Sequence, residues 1–508
     1  MTYASSTGVE SRRDSHCERD RSRPDMRANS LLTAGALVAL LVGAPASVAL
    51  AAGGAWSPPV SVSPAGPSAA QPDIVTSGDV ITAVWQAFDG TVSRIYSASS
   101  ANDGATWSAA VPLTSGAISS FFPRVATDGA RVTAVWYSDD GSSSVIESAH
   151  SLDDGATWST PVVISATGGF AYQPSVVTNG STITATWEAQ SGAVDEIAVA
   201  SSSDGGLTWS VPLVVSASSL GSSDPVLVTD GTTITVAWRA QFFSSSAIQT
   251  AWSSDGGATF STPLTVSVPG LNAFLPQIAT DGSVTTIAWH GTDGSRLRAQ
   301  VASSSDGGLT FTAPTYLSAV GMTAYRSQVV TDGTTITVVW EQSDPLDVLG
   351  LTQVLSAVSS DDGVTWSAPV AVSGLPGKVQ NPMLASGGGV TTAVWNDQTS
   401  GARGVGAAMS TDAGVTWAAV QAVTSTMSSV FGSRVVTDGT TITAIWRGAL
   451  GADDLIYVSS YANAAPELAA TGSTVSTTAM GSAALAVILL AIVLLGVPPL
   501  VRRRVPAA

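Results

Sequence analysis

One eight-residue motif recurs seven times along the chain, and this repetition constrains the fold more than any other feature. The clearest copy is SSDGGLTW, residues Ser202 to Trp209. Neighbouring copies lie 51 residues apart, with a single step of 55. A period this regular indicates one structural unit that is copied end to end. The copies end at Trp107, Trp158, Trp209, Phe260, Phe311, Trp366 and Trp417.

The residues of this octapeptide motif predict a tight turn inside a β-hairpin. Its Asp, such as Asp204, can accept hydrogen bonds from the backbone N–H groups of its own turn. The Gly two positions later adopts a positive φ at little steric cost. The Thr favours the following strand, and the aromatic residue buries a large flat surface. The first copy has Asn102 instead of Asp, and Asn can make a similar turn.

The two ends of the repeat region predict how the repeat closes. The segment from Trp56 to Ser63 matches the sequence that follows a motif, whereas the last unit breaks off after Ser460, where its own motif would begin. We therefore expect the N-terminal strand to complete the last unit and close a ring, which removes exposed sheet edges.

A second sequence marker keeps the same period as the octapeptide motif. Each of the eight units has a Trp at the end of a β-branched run. These residues are Trp85, Trp136, Trp187, Trp238, Trp289, Trp340, Trp395 and Trp446.

Each unit is predicted to contain four antiparallel strands. In the second unit they cover Arg124 to Thr127, Val132 to Tyr137, Ser144 to Ala149 and Pro161 to Ser165. A Thr-Asp-Gly or Thr-Asn-Gly turn between the first two strands is a strong hairpin signal, and no long stretch of the middle has helical periodicity. The pattern predicts an all-β protein, namely an eight-bladed β-propeller of four-stranded antiparallel blades.

The octapeptide motif resembles the Asp box, and the units from Trp56 to Ser460 resemble the bacterial neuraminidase repeat (BNR), or sialidase-like, β-propellers. That group includes sialidases, other glycoside hydrolases and non-catalytic sorting receptors. The resemblance implies the fold, whereas a motif copied in almost every blade cannot mark one site. We therefore interpret the motif as structural.

The N-terminal segment, residues 1–52, is predicted to be an extension followed by a secretory signal peptide. Met26 and Arg27 precede the apolar run from Leu31 to Val42, and small residues surround Ala51. Met1 and Met26 are alternative starts. Cleavage near Ala51 removes Cys17, the only cysteine, so the propeller at residues 53–464 has no disulfide or thiol chemistry.

The C-terminal segments are predicted to anchor the protein at the cell surface. Residues 465–482 form a linker, and residues 483–508 form an apolar transmembrane segment with a basic tail. The linker holds Leu468, Ala469, Ala470, Thr471 and Gly472. This pentapeptide resembles an LPxTG-like cell-wall sorting signal, in the form similar to substrates of actinobacterial class E sortases. The resemblance implies cleavage after Thr471 by sortase and linkage to peptidoglycan at the surface of a Gram-positive bacterium. A simple membrane anchor is the alternative.

The charge of the chain limits its partners. Its 37 acidic and 20 basic residues give a formal net charge of −17, and such a surface repels the phosphates of nucleic acids. Only His150 and His290 follow the signal peptide, and the Asp-rich turns already have a turn-forming explanation. We predict no metal, no cofactor and no nucleic-acid partner.

Function is expected on the face where the copies differ. Turns between strands one and two and between strands three and four share a repeated face, whereas the other loops form a variable face. Polar residues follow each repeated Trp, and aromatic residues lie in the loops that enter five of the eight blades, a combination that suits a sugar. Solvated rim positions and fillers between blades are the alternative. The ligand-binding candidates are Tyr137, Tyr172, Glu188, Arg239, His290, Tyr325, Glu341, Asn396 and Arg447.

The leading prediction is a cell-surface propeller that binds an extracellular glycan or surface protein through its variable face without catalysis. The alternative is a sialidase-like exo-glycosidase that hydrolyses terminal sugars. That resemblance implies three arginines on the sugar carboxylate, a Tyr nucleophile with a Glu partner, and an Asp acid/base. Eight units depart from the six blades of sialidases. A third possibility is a scaffold whose partner is a protein. The residues available for the sialidase set are Arg124, Arg326, Arg434, Tyr137, Glu188 and Glu341.

Overall fold

A computed structural model of the protein describes residues 54–463, apart from positions 67, 130, 181, 218–219, 400, 402 and 450–452. The predicted signal peptide, sorting motif and transmembrane segment lie outside these residues. Within the described part of the chain, no helix is long and apolar enough to cross a membrane. The strands form eight four-stranded antiparallel sheets, which confirms the predicted all-β, eight-bladed propeller.

The first four blades each use four consecutive strands, which follow the short N-terminal strand β1 (Val60–Ser61). Blade 1 contains β2 (Ser68–Ser77), β3 (Val80–Phe88), β4 (Ser93–Ser100) and β5 (Val111–Pro112). Blade 2 contains β6 (Ser119–Thr127), β7 (Val132–Asp139), β8 (Ser144–Ser151) and β9 (Val162–Val163). Blade 3 contains β10 (Phe170–Asn179), β11 (Thr182–Ser191), β12 (Val194–Ser202) and β13 (Leu213–Val214). Blade 4 contains β14 (Ser222–Thr229), β15 (Ile234–Gln241), β16 (Ser246–Ser253) and β17 (Leu264–Thr265).

The remaining blades repeat this order, except that the last one borrows its outer strand. Blade 5 contains β18 (Ala273–Thr280), β19 (Thr285–Thr292), β20 (Leu297–Ser304) and β21 (Thr315–Tyr316). Blade 6 contains β22 (Thr323–Thr331), β23 (Ile336–Ser343), β24 (Thr352–Ser359) and β25 (Val370–Ala371). Blade 7 contains β26 (Val379–Gly387), β27 (Val390–Asp397), β28 (Arg403–Ser410) and β29 (Gln421–Met427). Blade 8 contains β30 (Ser429–Thr437), β31 (Thr441–Ala449), β32 (Asp454–Ala462) and β1.

The ring closes through the N-terminal strand, as the sequence predicts. β1 pairs antiparallel with β32, with Val60 opposite Val458. The backbone N–H of Ser57 donates to the carbonyl of Ser460 at 2.8 Å, and Ser63 Oγ accepts from the N–H of Ile456 at 2.9 Å. Because these bonds join the two ends of the propeller, they satisfy an edge that would otherwise pair with another chain.

The core lies between neighbouring blades and centres on the repeated Trp residues. Trp187 of blade 3 is 1% exposed and belongs to a cluster with Val135, Ile146 and Ile164 of blade 2. The motif aromatic Trp209 packs on the edge of this cluster and is only partly buried. All eight repeated Trp side chains are fully buried, so each blade is joined to its neighbour mainly by apolar burial around one large ring.

The octapeptide motif forms a turn that satisfies its own polar groups. In blade 3, Ser202 Oγ donates to Asp204 Oδ1 at 2.8 Å, and the Thr208 N–H donates to the same oxygen at 2.9 Å. Thr208 Oγ1 donates to Asp204 Oδ2 at 2.6 Å. The Thr208 hydroxyl and backbone bonds and the Ser202 bond lower the pKa of Asp204 to about 2. In blade 1, Asn102 Oδ1 accepts from the Thr106 N–H at 2.9 Å, so Asn fills the same role.

Candidate functional site

The inner strands of all eight blades line a cavity of about 430 Å³, which we call the funnel. Each blade contributes the residue that lies twelve positions before its repeated Trp. Since these positions differ between most blades, the repeated scaffold presents a chemically varied wall. The eight residues are Asp73, Arg124, Ser175, Val226, Gln277, Gln328, Met383 and Arg434.

Every inner strand carries a β-bulge immediately before its funnel residue, a feature that sequence reasoning missed. In blade 2 the pairing register shifts between Phe121 and Arg124. The bulged residue has a left-handed backbone, with φ from 48° to 61° across the eight blades. Seven of the eight are not glycine, so each stores backbone strain that the surrounding blade must offset. They are Gln71, Phe122, Gln173, Asp224, Leu275, Arg326, Asn381 and Gly432.

A sequence signal for these bulges exists. In six blades the bulged residue precedes a proline, and the residue before a proline is driven away from the right-handed helical region. The prolines recur at one fixed distance before the repeated Trp. They are Pro72, Pro123, Pro174, Pro225, Pro276 and Pro382.

Three polar residues that follow a repeated Trp hold the bulge of the next blade. Gln86 Oε1 accepts from the Phe122 N–H at 2.9 Å. Glu188 Oε1 accepts from the Asp224 N–H at 2.7 Å, and Glu341 Oε2 accepts from the Asn381 N–H at 3.3 Å. Variation at this position therefore has a structural component, because the acceptor fixes the strained backbone of its neighbour.

The funnel has a positively charged sector where blades 8, 1 and 2 meet. Arg434 Nε lies 3.7 Å from Asp73 Oδ1, and Asp73 Oδ2 accepts from the Val125 N–H at 3.1 Å. Burial, followed by the nearby Arg124, lowers the pKa of Arg434 to about 10, so it stays charged at neutral pH. Within the described residues, no carboxylate lies within 4 Å of the half-buried Arg124 guanidinium. This sector can therefore accept an anionic group.

Five aromatic side chains beside this sector form what we call the aromatic platform. Tyr137 lies at its centre, with ring centroids 5.3 Å from Phe121, 5.9 Å from Phe122 and 5.4 Å from Tyr172. Phe170 stacks on Tyr172 at 6.1 Å. Burial, then Asp139 and Tyr172, raise the pKa of Tyr137, so its phenol is protonated at neutral pH. Phe122 also lines the funnel, which makes the platform continuous with the cavity.

A second group of candidates spans blades 4 to 6 and is largely self-paired. Arg239 Nε lies 3.0 Å from Asp224 Oδ2, and its guanidinium lies 5.8 Å from the ring of Phe274. The ring of His290 lies 5.7 Å from Phe274 and 6.0 Å from Tyr325. Burial and the charge of Arg326 lower the pKa of His290 to about 4, so this imidazole is neutral at physiological pH.

The two buried glutamates of the candidate set have different surroundings. Glu188 is 8% exposed, and burial raises its pKa to about 7 despite the bond from the Asp224 N–H. Glu341 is 4% exposed and pairs with Arg326 Nη1 at 2.9 Å. Burial raises the pKa of Glu341 as well, and Arg326 opposes that effect.

The last two candidates also have protein partners. Asn396 is 2% exposed, and its Oδ1 accepts from Ser433 Oγ at 2.6 Å. Arg447 pairs with Asp454, and its guanidinium lies 5.7 Å from the ring of Phe431. Both side chains therefore contribute to the packing of blades 7 and 8.

The residues available for a sialidase set are divided between two regions. Arg124 and Arg434 line the funnel, whereas Arg326 is paired with Glu341 in blade 6 and does not line it. Tyr137 packs in the aromatic platform, and no hydrogen bond joins it to Glu188 within the described part of the chain. The structure thus brings together two of the three arginines.

The comparisons with known proteins agree with the repeat architecture. Residues 125–338 match the family model of the BNR repeat-like domain. No curated protein sequence matches the chain. Among solved structures, an ulvan lyase bound to a GlcA–Rha3S saccharide is 12% identical, with 65% of this chain and 91% of that chain covered and a TM-score of 0.43.

Two further solved structures show likenesses of the same order. A point mutant of NanB sialidase from Streptococcus pneumoniae is 12% identical, with 66% of this chain and 67% of that chain covered and a TM-score of 0.35. An α-L-arabinofuranosidase from Fusarium graminearum with an iminosugar inhibitor is 14% identical, with 58% of this chain and 94% of that chain covered and a TM-score of 0.37. At these values the likenesses carry no inference about the chemistry of this chain.

Proposed function

We propose that the protein is an exported, surface-anchored propeller that binds an extracellular glycan at its funnel without catalysing a reaction. The observation that carries the proposal is the continuity of three features, which are joined through Phe122: the funnel, Arg124, which has no carboxylate partner among the described residues, and the aromatic platform. Pockets of a few hundred cubic ångströms with a small number of polar groups are the usual form of small-ligand sites. In this proposal the octapeptide motifs are Asp boxes with a structural role.

The chemistry of these groups suits a saccharide that bears a negative charge. A guanidinium pairs with a carboxylate or sulfate through two parallel hydrogen bonds, and Arg124 has this capacity available. Phe122 is exposed and Tyr137 is half-buried, and aromatic rings of this kind can cover the apolar C–H face of a sugar. A polymer would then place one acidic unit in the funnel and a neighbouring unit on the aromatic platform.

Three observations favour binding over hydrolysis. The pKa of Tyr137 is raised, which is the opposite of what activates a phenol as a nucleophile. Arg326 is engaged with Glu341. Glu188 and Glu341 lie in blades 3 and 6, where each accepts a backbone hydrogen bond from the next blade. A sialidase-like exo-glycosidase is the alternative proposal, and the presence of Arg124 and Arg434 together in the funnel is the observation that favours it.

A glycan array with the purified propeller tests the proposal. We expect binding to acidic glycans, reduced about tenfold or more by Arg124→Ala, since a hydrogen bond to a charged group contributes about 1.5 to 3 kcal/mol. Arg296→Ala is the matched control, because Arg296 is exposed on a strand-two to strand-three turn of the same face and lies outside the funnel lining. Release of a fluorogenic sialoside, lost in Arg124→Ala, would favour the enzyme instead. An array without any signal would favour a scaffold with a protein partner.

We also propose that the protein is exported and held at the surface of a Gram-positive bacterium. The signal-peptide pattern and the ordered succession of pentapeptide, apolar segment and basic tail support this proposal. Sortase, peptidoglycan and the membrane are then partners of the C-terminus. Thr471→Ala is expected to move the protein from the wall fraction to the membrane or medium. Retention of the variant in the wall fraction would exclude sorting at Thr471.

A further inference from the structure

A separate pocket lies at the perimeter of blade 2, away from the funnel lining. It has a volume of about 360 Å³, and we call it the blade-2 pocket. Hydroxyl side chains, two carboxylates and a few aliphatic groups line it, including Thr114, Ser120, Ser138, Asp140, Glu147 and Val163. We propose that this pocket binds the protonated amino group of an aminohexose.

A buried hydrogen-bond chain prepares two acceptors in this pocket. Ser138 Oγ donates to Glu147 Oε2 at 2.5 Å, and Trp136 Nε1 donates to the same oxygen at 2.9 Å. Ser120 Oγ lies 2.8 Å from Ser138 Oγ. Because the Ser138 proton points to Glu147, Ser120 is the donor in that pair, and its own oxygen remains able to accept. Ser120 and Ser138 are 2% and 5% exposed, so their positions are fixed by the fold.

The other oxygen of Glu147 provides the second acceptor. Within the described residues, Glu147 Oε1 has no hydrogen-bond partner, and no basic side chain lies within 4 Å of this carboxylate. An ammonium group carries three donors and no acceptor. The Ser120 hydroxyl and the Glu147 carboxylate thus offer the hydrogen bonds and the negative charge that such a group requires.

Comparison of the eight blades indicates that Glu147 is not required for folding. The residue paired opposite the repeated Trp is different in most blades, and only blade 2 has a carboxylate there. The tyrosines of blades 1 and 8 stack on their Trp at 6.3 Å and 6.2 Å and fill the corresponding space. Blades 4 and 5 have glutamine. The eight residues are Tyr96, Glu147, Ala198, Gln249, Gln300, Leu355, Gly406 and Tyr457.

The electrostatic potential of the blade-2 pocket favours a cation. The lining contains Asp140 and Glu147 but no Lys, Arg or His. The Ser142 hydroxyl and backbone bonds, together with the Ser143 N–H, lower the pKa of Asp140 to about 2, so it is ionised at neutral pH. The formal net charge of the chain, −17, has the same sign as these two carboxylates.

The volume of the blade-2 pocket and its remaining lining residues favour an amino sugar over other amines. A cavity of about 360 Å³ is at the small end of ligand pockets and suits one monosaccharide. Thr114, Ser115 and Ser143 add hydroxyl groups around the carboxylate, which can pair with sugar hydroxyls, and Val163 and Pro161 offer apolar contact. A protonated lysine side chain has the same charge but lacks the hydroxyls.

The test compares glucosamine, N-acetylglucosamine and glucose by isothermal titration calorimetry with the whole propeller, and adds Nα-acetyl-lysine methylamide as a lysine mimic. We expect glucosamine to bind about tenfold or more tightly than the two uncharged sugars, because a charge-assisted hydrogen bond is roughly twice as strong as a neutral one and the difference corresponds to about tenfold in affinity. Glu147→Gln keeps the acceptor for Trp136 and Ser138 but removes the charge, and should lower glucosamine affinity about tenfold. Its thermal midpoint should match that of the parent, as Gln249 and Gln300 occupy the same position in other blades.

Two control variants separate this proposal from the funnel. Glu196→Gln removes one negative charge from the third strand of blade 3, and Arg124→Ala disables the funnel; both should leave glucosamine binding unchanged. Equal binding of the three sugars, or an unchanged affinity in Glu147→Gln, would overturn the proposal. Tighter binding of the lysine mimic than of glucosamine would overturn the assignment to a sugar. A glycan array that fails for the funnel has no bearing on these outcomes.

Discussion

Glu188 makes the stability of the propeller depend on pH in a direction unusual for a carboxylate. Burial raises its pKa to about 7 from an ordinary value of 4.5. A raised pKa means that the folded state favours the protonated form. The stabilisation of the folded state by protonated Glu188 is therefore fully present below pH 4.5 and is lost as the pH rises through about 7. Glu188→Gln stays neutral at every pH, and its amide oxygen can still accept from the Asp224 N–H.

The size of the effect follows from the two pKa values. The interval from 4.5 to about 7 corresponds to roughly 3 kcal/mol of unfolding free energy, at about 1.4 kcal/mol per pH unit. For a propeller of roughly 400 residues, an unfolding entropy of about 2.1 cal/mol/K per residue converts this to a shift of about 4 °C in the melting temperature. At pH 8 the variant should therefore be more stable than the parent by about this amount, and at pH 4 the two should be nearly equal.

Urea denaturation and thermal melts at both pH values measure the difference. Glu341→Gln is the matched comparison, because Glu341 occupies the equivalent position in blade 6 but pairs with Arg326 at 2.9 Å. That substitution removes an ion pair and leaves Arg326 without its partner, so no gain in stability at pH 8 is expected. If the difference in unfolding free energy between Glu188→Gln and the parent is the same at pH 4 and pH 8, burial does not destabilise the carboxylate and the reasoning fails.

Three further predictions concern the scaffold. Trp187→Ala should lower the unfolding free energy by about 3 to 5 kcal/mol in urea, and Trp209→Ala by less, because only the first ring is fully buried. Asp204→Ala should lower the melting temperature in differential scanning fluorimetry, whereas Asp204→Asn should retain most of it, since Asn102 holds the same turn in blade 1. Deletion of residues 54–63 should expose the edge of β32 and produce oligomers in size-exclusion chromatography, whereas a monomer would show that closure by β1 is dispensable.

The features that could be predicted from the sequence are those whose hydrogen bonds are local and those that the repeat itself specifies. The octapeptide motif bonds within itself, as Ser202, Asp204 and Thr208 show, so its residues specify its conformation without help from the rest of the chain. The closure by β1 was predictable because the first and last units are complementary fragments of one repeat. The funnel residue lies twelve positions before the repeated Trp in every blade, because the strand-one to strand-two hairpin keeps the same length.

The strand boundaries and one ion pair were not predicted correctly from the sequence. The first strand of blade 2 was expected from Arg124 to Thr127, whereas β6 begins at Ser119 and continues through the bulge. A bulge interrupts the alternation of inward-facing and outward-facing residues on which strand prediction relies. The sequence pattern therefore covers only part of the strand. The outer strand was expected from Pro161 to Ser165 but β9 covers only Val162–Val163. The pairing of Arg326 with Glu341 was also not predicted, and Arg326 is itself the bulged residue of blade 6.

The bulges also change what variation between copies means. A position that differs between blades is a candidate for ligand contact, yet Gln86, Glu188 and Glu341 each hold a strained residue of the next blade. Where the bulged residue precedes serine instead of proline, the serine hydroxyl takes over part of this role: Ser433 Oγ donates to Asn396 Oδ1 at 2.6 Å. Such positions have a structural partner in the neighbouring blade. Arg124 differs from them, because it varies, lines the funnel and lacks a carboxylate partner among the described residues. Variation without a structural partner is therefore the sharper criterion for a binding residue in a repeat protein, and by that criterion Arg124 outranks the other residues of the candidate set.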